Sequence, residues 1–205
     1  MNRFDQIAKE WDAKPRRLLQ AENIFKAIKQ KVNLSDTMSV LDIGTGTGLL
    51  LMHFITEVRE ITGIDNSQGM LDMLKEKAEK AHVDNIRYLL FDADTDHLNG
   101  QQYDLAVSSL TFHHFKSPDA FLKEIYTSLK PGGKVCIGDL VSEDGSFHTD
   151  NEEVGVHHFG FDKQIFNQWL KDAGFINTSV ETVFTITKND KQYPVLLAYG
   201  EKGLS

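Results

Sequence analysis

The chain has 205 residues, a formal net charge of -8 and one cysteine, Cys136. That length suits one domain with a real core. The charge sets the chain against phosphate backbones, so no nucleic-acid partner is expected, and a lone cysteine, read as a buried core thiol in an apolar run, excludes an intrachain disulfide. The opening MNRFDQIAKEWD lacks the apolar stretch of a secretory leader. No apolar run approaches the roughly 20 residues that span a bilayer. A soluble chain without membrane insertion, in a reducing compartment and most simply the cytoplasm, is the expectation.

Residues 1–37 carry a mainly helical pattern, with apolar Leu18, Leu19, Ile24, Phe25 and Ile28. They read either as a packing helix or as a cover over a site. Their small basic group KPRR, Lys14 to Arg17, reads as a solvated helix face. From Met38 strands and helices alternate. MSVLDIG is a short apolar run bounded by glycine, as a buried strand should be. LLLMHFITEV has helical length, and EITGID is a second strand. NSQGMLDMLKEKAEKAHV is a helix, with Asn66 or Ser67 to cap it and Met70, Leu71, Leu74 and Ala78 on one face. NIRYLLFDA and YDLAVSSL are the third and fourth strands. A helix from Pro118 to Leu129 ends at PGG, and KVCIGDLV is the fifth strand. DKQIFNQWLKDAG is a helix with a glycine stop. NTSVETVFTITK and YPVLLAYGEK follow, joined by the short NDKQ, which can only make them an antiparallel pair. Alternation of this kind implies an α/β fold, a mostly parallel sheet with helices on both faces.

In such a sheet ligands bind beyond the carboxyl ends of the strands. DIGTGTG sits at one of those ends. Gly44 permits a tight turn, Gly46 a close approach to a ligand, and Gly48 close packing of helix on sheet. Dinucleotide sites use G-x-G-x-x-G, which sets a pyrophosphate on a helix N-terminus; here the spacing is one residue shorter. Asp42, just before the loop, would face an anion poorly and suits a cationic group such as an amino-acid ammonium. Asp65 ends the second strand, where a carboxylate can accept from a ribose diol. Asp92 ends the third, followed by Ala93, where it can accept from an adenine amino group. Both aspartates could instead cap the local backbone, Asp92 more readily because Asp94 and Asp96 crowd its loop.

These residues, with ITGIDNSQGMLDMLKEKA, FDADT, YDLAVSSLTFHHFKSPDAFLKEIYTSLKPGGKV and GFDKQIFNQWLKDAGF, resemble the class I S-adenosylmethionine-dependent methyltransferases. The small-molecule branch related to the ubiquinone and menaquinone biosynthesis enzymes is the nearest in pattern. The resemblance covers about residues 37 to 176. It implies a three-layer αβα sandwich, a Rossmann-like sheet of seven strands, mostly parallel with an antiparallel last strand, in one domain over 1–205: a cover over 1–37 and a core over 38–205. It implies S-adenosylmethionine as cofactor and S-adenosylhomocysteine as product. Gly44, Gly46 and Thr47 would line the methionine part, with Asp42 supporting the loop. Asp65 would hold the ribose, Met70 would pack on the adenine, Asp92 and Ala93 would read its edge, and Ser109 would lie near the methionine.

Methyl transfer from a sulfonium is an in-line displacement, accelerated mainly by alignment in a dry pocket. A base matters only where the acceptor must lose a proton early. His113 and His114 follow the fourth strand, His148 follows the fifth, and His157 and His158 lie in VGVHHFGF; Asp139 ends the fifth strand. His114, His158 and Asp139 are the candidates for acid-base work. Adjacent histidines in extended chain point to opposite faces, and strong metal-ligand spacings are absent, so no metal site is expected. Phe112, Phe115, Phe147, Phe159 and Phe161 suggest an aromatic pocket and a small organic acceptor, methylated at O, N or C, on a monomer or homodimer. Three other readings remain open: a non-catalytic cofactor-binding partner protein, a nicotinamide-dependent oxidoreductase, and decarboxylative use of the same cofactor.

Overall fold

The computed structural model describes residues 3–98, 100 and 102–204; residues 1, 2, 99, 101 and 205 of the predicted domain lie outside them. Helix α1 (Arg3–Ile7), a 3-10 turn (Ala8–Ala13) and helix α2 (Pro15–Lys31) precede the sheet. Then follow β1 (Ser39–Ile43), β2 (Glu60–Asp65), α3 (Gln68–Lys80), β3 (Ile86–Leu90), β4 (Tyr103–Ser109), α4 (Pro118–Ser128), β5 (Leu129–Leu140), α5 (Lys163–Asp172), β6 (Ile176–Lys188) and β7 (Lys191–Glu201).

The seven strands form one sheet in the order β3-β2-β1-β4-β5-β7-β6. β1 pairs in parallel with β2 and β4, while β7 runs antiparallel to both β5 and β6. The order reverses at β1, so the end of β1 and the end of β4 open the crevice where an α/β sheet takes its ligand. β1 is buried along its whole length, as a two-faced parallel strand must be. One apolar cluster joins α2 to the sheet through Ile24, Ile28, Leu51, Phe54 and Val107, and a second, on Phe112, Phe121, Phe166 and Leu170, joins α4 and α5.

Three expectations change. LLLMHFITEV is not an α-helix: a 3-10 turn covers only Leu51–His53, and further bonds mix i to i-3 and i to i-4 spacings. Its second half, HFITEV, is aromatic and β-branched, which are weak helix formers, and burial of Leu50, Leu51, Phe54 and Val58 holds it in place instead. On α2 the buried face is Ala21, Ile24, Ala27 and Ile28, whereas Leu18 and Leu19 are exposed. PGG lies inside β5 rather than before it, taken up by a register shift against β4. Among the described residues no helix is long and apolar enough to cross a membrane.

Candidate functional site

One cavity of about 490 Å³ opens at the switch point. Asp42, Gly44, Gly46, Thr47, Asp65, Met70, Asp92, Ala93 and Ser109 all line it. The loop after β1 has Gly44, Gly46 and Gly48 at positive φ. A Cβ on Gly48 would stand 2.3 Å from Leu74 Cδ1 of α3, so this glycine lets α3 approach, not the segment that follows the loop. A Cβ on Gly46 would meet no protein atom within 4 Å; its freed space belongs to the cavity.

The carboxylates differ in setting. Asp42 is buried and accepts from Thr45 Oγ1 at 2.7 Å. Burial pushes its pKa up to about 7, the Thr45 hydroxyl opposing this and the charge of Asp65 adding to it. Asp65 accepts from the Gly46 amide at 2.8 Å and the Ser67 amide at 2.9 Å. Burial raises its pKa as well. The Asn66 amide adds a third backbone bond, and a carboxylate has about four acceptor sites, so about one remains toward the cavity. Asp65 does not cap α3; Ser67 does, accepting from the Met70 amide. Asp92 spends one oxygen on the Asp94 amide at 3.0 Å. Leu110, beside Ser109 on the cavity wall, holds φ 53, a left-handed conformation unusual for a leucine.

At the other end are histidines. Phe112–His114 form a 3-10 turn, not extended chain, so the rings of His113 and His114 lie on neighbouring sides with centroids 4.1 Å apart. His113 Nδ1–H donates to Asp139 Oδ1 at 2.8 Å, and both groups are buried. With Nδ1–H committed to Asp139, Nε2 of His113 is left to accept from His148 Nε2 at 3.0 Å. His114 Nδ1 donates to the Gly155 carbonyl at 3.2 Å. All three rings line the cavity. Burial first, then the electrostatic effect of His113 and Lys188, lowers the pKa of His148 to about 4. His114 is pushed well below the usual range, by burial first and then by His113 and His148. The three rings offer nitrogens within 4.8 Å of one another, a spacing that could hold a metal. Yet two of those nitrogens already share a hydrogen bond, and Lys188 and Arg16 add positive charge. This is the arrangement of a proton relay.

Of the three acid-base candidates, only His114 reaches the cavity. Asp139 lies beneath it, behind His113. His158 lies outside the lining, its ring against Phe161 with centroids 5.4 Å apart and Nε2 buried without a partner. The VGVHHFGF loop serves the site through its backbone: the amides of His157 and His158 both donate to the His113 carbonyl. The phenylalanines divide too. Phe115 and Phe147 line the cavity, joined by Phe4, Trp11 and Phe91. Phe112 and Phe161 are core, and Phe159 is half-exposed.

A switch-point cavity with a glycine loop, two strand-end carboxylates and an aromatic wall defines a nucleoside-cofactor-binding α/β domain. Residues 40–133 match the methyltransferase domain family, and the chain aligns with curated relatives that are methyltransferases. It is 31% identical over 156 residues to an uncharacterized methyltransferase of Schizosaccharomyces pombe, an alignment covering 70% of this chain and 55% of that protein. It is 29% identical over 143 residues to the ubiquinone biosynthesis O-methyltransferase of Coxiella burnetii, covering 67% of this chain and 60% of that one. The chain thus spans little more than half the length of these curated relatives. The same fold occurs in the protein solved in complex with the Haloferax volcanii Trm112 methyltransferase activator, with a TM-score of 0.78, 18% identity and 99% of each chain covered.

Proposed function

We propose that this protein transfers a methyl group from S-adenosylmethionine to a small organic acceptor, in the cytoplasm and as a single domain over 1–205 with 1–37 as its cover. The observation that carries this is the convergence of all nine cofactor candidates on one cavity that also presents a histidine–aspartate relay. Bound S-adenosylmethionine supplies a methyl group already activated on a sulfonium. Gly44, Gly46 and Thr47 hold the methionine end, with Asp42 the counter-charge to its ammonium; Asp65 accepts from the ribose, Met70 packs on the adenine, and Asp92 with Ala93 reads its edge. Ser109 and Leu110 close the wall between cofactor and acceptor. His148, neutral at pH 7, takes the acceptor's proton at Nδ1, and its Nε2–H stays on His113, which Asp139 orients and balances. His114 completes that wall with Phe4, whose ring meets it edge-on at 5.4 Å.

The test is titration calorimetry of S-adenosylmethionine and S-adenosylhomocysteine into the folded protein, with Asp65→Ala beside it. Binding by the wild type, weakened more than tenfold in the variant, is the expected result. A folded protein that binds neither ligand would overturn the reading.

A further inference from the structure

The KPRR group is exposed at Lys14 and Pro15, but its arginines are half-buried and its cations face a cavity. Lys14, Arg16 and Arg17 line the cavity, and so does Lys188 from the end of β6. Two separate elements, the start of α2 and the turn end of the β6–β7 hairpin, therefore bring cations to one opening. The chain as a whole is acidic, with 30 Asp and Glu against 22 Lys and Arg, so the grouping runs against the overall charge.

Eight lysines elsewhere, Lys26, Lys29, Lys31, Lys77, Lys80, Lys116, Lys130 and Lys191, pair with a carboxylate, while among the described residues others such as Lys75, Lys123 and Lys171 stand on the surface without an ion pair; what sets the present group apart is that its cations share one cavity. Among the described residues Lys14, Arg16 and Lys188 have no such ion pair. Arg17 is engaged otherwise: its guanidinium lies 3.4 Å from the Trp11 ring centroid and donates to the Trp11 carbonyl at 2.9 Å. Lys188 Nζ donates to the Phe147 carbonyl, next to His148, and an ammonium has two further donors. Burial first, and then Arg16, Lys14 and Arg17, press the pKa of Lys188 down, with Glu143 opposing. Glu10 and Asp150 also line the cavity, and Glu143 is occupied by the Ser146 and Phe147 amides. Like charges facing one another destabilise the fold unless an anion joins them. A guanidinium and two ammoniums are the donors that carboxylates and phosphates select.

We infer that the acceptor carries an oxyanion group, a carboxylate or a phosphate, seated among Lys14, Arg16 and Lys188 at the mouth of the cavity. The neighbouring Phe147 and His148 then face the part of the acceptor that takes the methyl group. This rests on the reading of the cavity as a methyltransferase site. The net charge of the chain disfavours a polyanion.

The experiment titrates benzoate, inorganic phosphate and neutral benzamide into protein saturated with S-adenosylhomocysteine, for the wild type, Arg16→Gln and Lys188→Gln. At least one anion binds the wild type, more weakly as salt rises, and its affinity drops about tenfold in each variant; benzamide does not bind. Preference between benzoate and phosphate assigns the oxyanion. Benzamide binding as well as the anions, anion affinity equal in the variants, or no binding of either anion would overturn the inference. Loss of S-adenosylhomocysteine binding by the wild type would instead strike the methyltransferase reading.

Discussion

Thr47 Oγ1 donates to Asp12 Oδ1 at 2.5 Å, so a residue of the N-terminal segment is bonded directly to the glycine loop. Lys77 ties the same corner, with Nζ 2.6 Å from Asp12 Oδ2 and 2.8 Å from the Thr47 carbonyl. Asp5 accepts at Oδ1 from the Ser67 hydroxyl and the Gly69 amide, at the N-terminus of α3, where a helix favours negative charge. The segment before α2 is thus fastened to the loop and to α3 through the carboxylates of Asp5 and Asp12, whereas α2 itself is packed into the core through Ile24 and Ile28.

Asp12→Ala should loosen this fastening with little effect on global stability. The ion pair is partly exposed, so its loss costs about 0.5–1 kcal/mol. Hydrogen exchange over residues 3–13 should quicken, and S-adenosylhomocysteine should dissociate several-fold faster in stopped flow. Unchanged exchange and dissociation would show that the segment is static packing.

Asp139→Asn keeps the shape behind His113 but removes its negative charge and can reverse its tautomer. Turnover should fall by about 10²-fold or more while the affinity for S-adenosylhomocysteine holds. His158→Ala should leave turnover near the wild-type level, because His158 lies outside the cavity. Equal turnover of Asp139→Asn and wild type would remove the relay from the mechanism.

The legibility of the site followed the chemistry of each part. Buried parallel strands must be apolar runs, and the ligand-binding ends of β1, β2 and β3 carry Asp42, Asp65 and Asp92 in plain sequence. The relay has no such local mark. His113 and His148 are 35 positions apart and meet only because β5 carries the chain back beside β4. Neighbouring His113 and His114 looked divergent because the 3-10 turn that gathers them has no capping signal. Lys14, Arg16 and Lys188 were illegible for the same reason: a hairpin turn and a helix start converge through the fold. One available signal was Pro15, which fixes the start of α2 and so the direction in which its flanking cations leave the backbone.

The pH behaviour should divide between two groups. His148, at about 4 in the folded chain against an ordinary 6.5, is protonated more readily when unfolded. Its contribution to stability is therefore full above pH 6.5 and is lost as pH falls toward 4. Asp42 has the opposite sign: raised from 3.8 to about 7, its contribution is full below 3.8 and lost as pH rises toward 7. Thermal melts of His148→Gln from pH 6.5 to 4 should fall less than those of the wild type. Because an ammonium placed near Asp42 would favour its ionised form, cofactor binding at pH 6.5 should release protons. Calorimetry in two buffers of different ionisation enthalpy measures this, and identical heats would separate Asp42 from the cofactor.

Gly46 and Gly48 give the sharpest paired prediction, since both have positive φ and differ in what a methyl group would meet. At Gly46 the added Cβ enters the open cavity, so Gly46→Ala should cost only the left-handed backbone penalty of about 1–2 kcal/mol and yet weaken S-adenosylhomocysteine more than tenfold. At Gly48 the Cβ would stand 2.3 Å from Leu74 Cδ1, inside the core. Gly48→Ala should therefore lose about 2–4 kcal/mol of stability, backbone penalty and overpacking together, with cofactor affinity reduced only as far as the loop is displaced. Chemical denaturation and calorimetry on both variants separate the two roles. A Gly46→Ala protein that binds the cofactor like the wild type would mean that the ligand does not approach the loop at this point, and the cofactor would have to be seated elsewhere in the cavity.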